Sequence, residues 1–122
     1  MEEFAIEVEG VPSHPDARVA HIEGELDVAT TPEAREELDR QVEEGAIRVV
    51  LDLAETSFMD SSAIGMCLGM SQRLRSAGGG LAIAAAGPGV RTAMDLAGVR
   101  HVLSMHEDVD SALAALGVED AD

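Results

Sequence analysis

The chain begins with two segments in which apolar and polar residues alternate. Residues 4–9 and 18–24 both show this period of two, which is typical of strands with one face in water. The residues between them, 10–15, are rich in glycine and proline and predict a turn. A short connection between two such strands favours an antiparallel hairpin.

The rest of the chain alternates between helix-like and strand-like segments. Helices are predicted where apolar residues recur every three or four positions, and strands where short apolar or β-branched runs lie between turn residues. In order, the segments are a helix over 32–44 capped by Thr31, a strand over 47–53, a helix over 61–77, a strand over 81–86, a helix over 90–97, a strand over 99–104 and a helix over 107–116. The order β-β-α-β-α-β-α-β-α predicts an α/β fold with a mixed, mostly parallel sheet of four to five strands and about four helices.

An acid and two hydroxyls stand at the start of the central helix, in the run Phe58-Met59-Asp60-Ser61-Ser62. Asp and Ser are preferred N-caps, so capping alone explains the run. The same position leaves backbone N–H groups unpaired and carries the positive end of the helix dipole. A phosphate added to a serine there finds donors and a favourable field. The residues leave open whether the segment is only a cap or also a phosphorylation switch.

Composition narrows the chemistry that the chain can perform. Its 122 residues are 46% hydrophobic, which is ample for one core, and they carry a formal net charge of −16 with no lysine. The lack of lysine excludes a P-loop and a Schiff-base enzyme, and the acidity argues against direct binding of nucleic acid. The four histidines lack metal-ligand spacing, and no GxSxG elbow surrounds the serines. We therefore expect no catalytic residues, no metal and no cofactor.

Three further features are less specific. Asp52 follows a buried strand as the phosphorylated aspartate of a receiver domain does, but the lysine and the early acidic pair of receivers are missing. The single Cys67 falls on the apolar face of the central helix and is predicted to lie in the core. The acidic start Met1-Glu2-Glu3 is unlike a signal peptide, and no apolar run reaches the length of a membrane span, so a soluble, cytoplasmic protein is expected.

Three segments carry a family likeness: Gly24-Glu25-Leu26-Asp27 after the second strand, Leu51-Asp52-Leu53, and the run from Phe58 to Ser62. Together with the predicted order of elements, these segments resemble the STAS domain of bacterial anti-sigma-factor antagonists. The likeness covers nearly the whole chain, with a domain expected over 3–117 and an acidic tail over 118–122. The family commonly has glycine where this chain has Ala63. The added methyl suits a helix but limits how closely a partner's backbone approaches.

The resemblance implies a partner-switching regulator that is not itself an enzyme. In the family, the unphosphorylated antagonist binds an anti-sigma factor that is also an ATP-dependent serine kinase, and a sigma factor is released. The kinase phosphorylates the first serine after the acid, here Ser61, which ends binding, and a PP2C-type phosphatase restores the active form. A monomer that forms heteromeric complexes is expected. The alternative is a STAS module that is never phosphorylated and acts as a scaffold in a stress-sensing or transporter-associated complex.

The central helix suggests a contact surface. One face is predicted to enter the core and is formed by Ile64, Cys67, Leu68, Ser71 and Leu74. The opposite face is then expected to point outward and is formed by Ser62, Met66, Gly69 and Arg73, with Met70 beside them. Methionine adapts to irregular partner surfaces, and glycine permits close approach. The expected partner-binding residues are Asp27, Met59, Asp60, Ser61, Ser62, Met66, Gly69 and Met70.

Two roles remain open for Asp27. Its carboxylate either orients the kinase or the Ser61 hydroxyl, or it caps the turn before the next helix.

Overall fold

The computed structural model describes residues 3–119, which form five strands and four helices in the predicted order. The elements are β1 (Ala5–Val11), β2 (His14–Leu26), α1 (Thr31–Glu43), β3 (Arg48–Met59), α2 (Ser61–Ser76), β4 (Gly80–Ala84), α3 (Pro88–Ala97), β5 (Ser104–His106) and α4 (Val109–Ala115). The α/β class and the order of elements are therefore confirmed. Val118 is buried, and residues 120–122 of the expected acidic tail lie outside the described residues.

The five strands form one mixed sheet in the spatial order β1-β2-β3-β4-β5. β1 and β2 form the predicted antiparallel hairpin, and the other three strand pairs are parallel. Parallel neighbours need crossover connections, which α1, α2 and α3 provide. The carboxyl ends of β2 to β5 consequently share one edge of the sheet, where ligand and partner sites of such folds gather.

Apolar side chains on the two faces of the sheet form two clusters. On one face, side chains such as Ile22 and Leu51 pack with residues of α1, α2 and α3. On the other face, Val19 and Val50 pack with Ala112 of α4. Successive residues of a strand point to opposite faces, so neighbouring apolar residues of β2 and β3 belong to different clusters. α4 packs on β3, β4 and β5 and so covers that half of the sheet on this second face.

β2 and β3 are longer than the sequence pattern predicts. β3 continues past Leu53 because its later residues pair with the end of β2, as far as Met59 beside Leu26. Two breaks in register interrupt the pairing, and such bulges disturb the alternation by which a strand is recognised in sequence. The buried hydroxyl of Thr56 donates to the Ile22 carbonyl oxygen at 2.7 Å and ties the extension to β2. The segment before Asp60 is thus the end of a continuous strand.

Some boundary predictions are wrong. The last strand is Ser104–His106 and not 99–104, because Val99 and Leu103 are buried in the connection before it and pair with no strand. α1 begins at Thr31, so Thr30 and not Thr31 occupies the cap position. Element boundaries depend on backbone hydrogen bonding, whereas the sequence shows only apolar pattern and local turn or cap residues. The two differ here by a few residues.

A close backbone contact joins the end of α2 to the start of β3. A Cβ atom on Gly79 would lie 1.8 Å from the Ile47 carbonyl oxygen, which is far inside contact distance. The same oxygen accepts a hydrogen bond from the N–H of Gly80 at 2.9 Å. Only glycine fits at position 79, and this contact sets the point where β4 joins the sheet.

Candidate functional site

Asp60 connects the carboxyl end of β3 to the first turn of α2. Its Oδ1 atom accepts hydrogen bonds from the backbone N–H of Ser62 at 2.9 Å and from that of Ala63 at 3.3 Å. The same oxygen accepts the Ser62 hydroxyl at 2.9 Å. These contacts are those of a helix N-cap, so the predicted cap is confirmed.

The hydrogen bonds also determine the charge state of Asp60. Burial raises the pKa of its carboxyl group, but the bonds from Ser62, Ala63 and the backbone N–H of Val28 outweigh that effect and hold the pKa below its ordinary value. Asp60 is therefore a carboxylate at neutral pH. Its negative charge lies at the positive end of the α2 dipole, where it is stabilised.

The two serines after Asp60 occupy different environments. Ser61, the first residue of α2, is exposed at the carboxyl edge of the sheet. Ser62 is partly buried, and its hydroxyl is engaged with Asp60. A group added to Ser61 can therefore extend into solvent beside the helix N-terminus without breaking the cap. The first turn of α2 contains no acidic residue, so the field there favours an added anion.

Asp27 forms the turn that precedes α1. Its Oδ1 atom accepts the backbone N–H of Ala29 at 2.9 Å and that of Thr30 at 3.1 Å. Of the two roles left open for Asp27, the geometry shows the turn cap. The turn and the α2 cap are directly linked, because the Asp60 N–H donates to the Leu26 carbonyl oxygen at 3.1 Å. Asp27 and Asp60 thus end two neighbouring strands at one site.

A family model described as the STAS domain matches residues 5–112. The chain belongs to the STAS domain family. An anti-sigma F factor antagonist of Paenibacillus polymyxa is 28% identical over 106 residues, covering 86% of this chain and 91% of that protein. An anti-sigma-B factor antagonist of Staphylococcus epidermidis is 30% identical over 98 residues, covering 80% of this chain and 91% of that protein.

Solved structures share the fold of this STAS domain. An anti-sigma factor antagonist from Mycobacterium paratuberculosis superposes with a TM-score of 0.82, at 23% identity over 94% of this chain and 95% of that chain. The anti-sigma factor antagonist SpoIIAA in its unphosphorylated form gives 0.77, at 22% identity over 93% and 97% of the two chains. The Bacillus cell fate determinant SpoIIAA in its phosphorylated form gives 0.70, at 21% identity over 91% and 97%.

The methionines of this STAS domain do not form the exposed stripe that the helix pattern suggests. Met66 and Met70 are only 3% and 5% exposed, and Met59 is 2% exposed, so the prediction that the α2 pair points outward is wrong. The physical reason is α1, which packs against this side of α2 and is joined to it by an Arg73–Asp39 ion pair at 2.7 Å. α2 is therefore covered on two sides, and only a small edge of Met66 and Met70 is exposed, in the groove between α1 and α2.

The exposed face of α2 is formed by other residues. Gly65 and Gly69 lie one and two turns beyond Ser61 and are exposed, as Gly69 was predicted to be. A methyl group on either glycine would meet nothing within 4 Å, so a partner can approach this face closely.

Two exposed apolar side chains near the cap were missed from the sequence. Val28 is 73% exposed immediately after Asp27, and Phe58 is 48% exposed two residues before Asp60. Phe58 is apolar and directly precedes the buried Met59, so its exposure follows from strand register and not from residue type. One sequence feature could have indicated the exposure of Val28, which is an apolar β-branched residue within the turn that follows Asp27.

Other chemistry is not supported by the described residues. Burial raises the pKa of Cys67 to about 12, so its thiol stays protonated and inert near neutral pH. Within residues 3–119, no group of three or more His, Cys, Asp or Glu side chains is arranged to hold a metal ion. No helix in the same range has the length and apolar character needed to cross a membrane.

Removing the Asp60 carboxylate is expected to weaken the start of α2. Asp60→Ala should lower the free energy of unfolding by about 1 kcal/mol, because three hydrogen bonds to Oδ1 are lost. Asp60→Asn should cost only a small part of this, because an amide oxygen accepts from the same donors. Urea unfolding of the two variants measures the difference, and equal losses would contradict the cap as the source of stability.

The difference in stability between wild type and Asp60→Asn should depend on pH. The folded pKa of Asp60 lies below that of an unfolded aspartate, about 3.9. The stabilisation from its charge is therefore complete above the unfolded pKa and is lost as pH falls through the folded pKa. The stability gap between wild type and Asp60→Asn should shrink on acidification, and a gap independent of pH would contradict the assignment.

Proposed function

We propose that this protein is an anti-sigma-factor antagonist whose binding is controlled by phosphorylation of Ser61. One observation carries the proposal: an exposed serine begins α2 directly after a formed Asp60 cap, at the carboxyl edge of the sheet. The curated relatives support the same reading, since those from Paenibacillus polymyxa and Staphylococcus epidermidis are named antagonists of anti-sigma factors. SpoIIAA, which shares the fold, has been solved in unphosphorylated and phosphorylated forms.

The unphosphorylated protein binds an anti-sigma factor that has serine kinase activity, and this releases a sigma factor. The contact surface consists of exposed residues around the cap: Val28, Phe58, Ser61, Gly65 and Gly69. The two large apolar side chains provide area to bury, and the glycines permit close approach along α2. A groove of about 690 Å³ is lined by Val28, Ser62 and one face of α1, and it adjoins these residues.

Phosphorylation ends binding by a local change in charge and bulk. The phosphate adds about two negative charges and three acceptor oxygens to Ser61, next to the Asp60 carboxylate. The α2 N-terminus and its dipole accommodate the phosphate within the protein. A partner that fits closely against Ser61 then meets both steric obstruction and negative charge. Because the cap bonds of Asp60 do not involve the Ser61 side chain, release requires no refolding of this domain.

The protein then acts as a kinase substrate and binding module, with no catalytic residues of its own. A PP2C-type phosphatase returns it to the binding form. It functions in the bacterial cytoplasm as a monomer that forms heteromeric complexes.

Phosphorylation in vitro tests the assignment of Ser61. The protein is incubated with Mg-ATP and its cognate anti-sigma kinase, and the products are analysed by intact mass and peptide mapping. Wild type is expected to gain one phosphoryl group on Ser61. Ser61→Ala should gain none, because the acceptor hydroxyl is missing. Ser76→Ala, a change of an exposed serine at the other end of α2, should behave as wild type.

Two results of this experiment would count against the proposal. Phosphate on a residue other than Ser61 would exclude the cap as the switch. A protein that binds the anti-sigma factor but is never modified would favour the STAS scaffold.

A further inference from the structure

His21 lies on the sheet face opposite the main cluster, between two carboxylates. Its Nδ1 atom is 2.7 Å from Asp52 Oδ2, and its Nε2 atom is 2.6 Å from Glu9 Oε2. Glu9 belongs to the edge strand β1, His21 to β2 and Asp52 to the central strand β3. One imidazole ring therefore links three adjacent strands.

Both contacts require a ring with two N–H groups. A neutral imidazole has one donor and one lone pair, whereas a carboxylate only accepts. Loss of the proton would place a nitrogen lone pair against a carboxylate oxygen in one of the two contacts. The hydrogen bond to Glu9 raises the pKa of His21 most strongly and the bond to Asp52 adds to it, while partial burial opposes the shift without reversing it.

The surroundings of the ring are acidic. Glu7 of β1 is opposite His21 in the strand register, and Glu7, Glu23 of β2 and Glu55 of β3 line a cleft with Asp52 beside the ring. Among the described residues lining this cleft there is no arginine, so a protonated His21 offsets repulsion between the strands. Asp52 is held in place because its Oδ1 atom accepts the N–H of Ala54 at 3.1 Å.

We propose that His21 is a proton-dependent clamp that holds β1 against the sheet and loosens when the ring loses its proton. β1 is an edge strand with β2 as its one neighbour in the described sheet. Its inward side chains Ile6 and Val8 are only partly buried against the core. The side-chain link to β3 therefore adds an attachment that backbone pairing with β2 does not provide. The clamp is independent of the Ser61 switch.

The direction of the pH effect follows from the folded pKa. The pKa of His21 is higher in the folded protein than the unfolded value of about 6.5. The stabilisation is fully present below the unfolded pKa and is lost as pH rises through the folded pKa. β1 should consequently be held more firmly at mildly acidic pH than at alkaline pH.

Two measurements test the clamp. In wild type, the ring resonances of His21 should titrate above about 6.5, the value of a histidine in an unfolded chain. In His21→Gln, hydrogen exchange of the β1 amides at a fixed pH should be about fivefold faster than in wild type, in the range of an exposed ion pair. Exchange in β4 should be unchanged, and His101→Gln, the matched control, should leave β1 as in wild type.

The result can overturn the proposal in several ways. A titration midpoint of His21 at or below about 6.5 would exclude the protonated bridge, and this readout does not depend on any variant folding. Unchanged exchange of the β1 amides in His21→Gln would exclude the clamp. Equal acceleration in β1 and β4 would show a global loss of stability and not a local clamp.

Discussion

Ser61→Asp is expected to weaken binding of the anti-sigma factor about a hundredfold while the domain keeps its fold. The aspartate places a permanent negative charge at the first position of α2, next to Asp60 and within the proposed contact surface. A charge set against a closely fitting partner costs about 2–3 kcal/mol of binding free energy, which gives the expected factor. Stability should change little, because Ser61 is exposed and negative charge is favourable at a helix N-terminus.

The matched control for Ser61→Asp is Ser76→Asp. Both changes add one carboxylate to an exposed serine of α2, but Ser76 is at the opposite end of the helix. Calorimetric titration gives the affinities, and urea unfolding gives the stabilities. Full affinity of Ser61→Asp would contradict release by charge and bulk. Equal loss in both variants would show that net charge and not position is responsible.

Met66→Glu is expected to lower the free energy of unfolding by about 3 kcal/mol or more. The side chain is 3% exposed and packs in the main apolar cluster, so glutamate would lose that packing and bring a charge into the core. Phe58→Glu should change stability by less than about 0.5 kcal/mol, because Phe58 is 48% exposed. It should nonetheless weaken partner binding about tenfold, as the loss of an aromatic interface residue does.

Comparing Met66→Glu with Phe58→Glu distinguishes a residue that stabilises the fold from a residue that contacts the partner. Urea unfolding measures stability, and titration of the folded variants measures affinity. Leu96→Glu is the control, because Leu96 is 84% exposed on α3, outside the proposed surface. A fully stable Met66→Glu protein would contradict the burial of Met66. Full affinity of Phe58→Glu would remove Phe58 from the contact surface.

The cap and its serine were predictable because their information is local. An N-cap needs only a suitable side chain followed by a helix, and the Asp60 run satisfies both within a few residues. The antiparallel hairpin and the order of the later elements also follow from short-range periodicity. The family likeness added the role proposed for Ser61, which capping geometry by itself does not imply.

The orientation of α2 was not predictable in full. Periodicity identifies one apolar face, and the remaining residues are then assigned to water by default. α2 is instead covered by the sheet on one side and by α1 on another, so Met66 and Met70 are buried although they lie off the main apolar face. The contact surface that we propose therefore consists of the exposed glycines of α2 and the exposed side chains near the strand ends.

The sequence by itself determined the elements, their order and the position of the Asp60-Ser61 cap, because these depend on neighbours along the chain. Only the tertiary structure decided which side chains surround that cap and which lie beneath it. Strand register places the half-exposed Phe58 opposite Glu25, and it places His21 between Glu9 and Asp52, which are 12 and 31 positions away. Such contacts depend on pairing between distant segments, and no local pattern along the chain specifies that pairing.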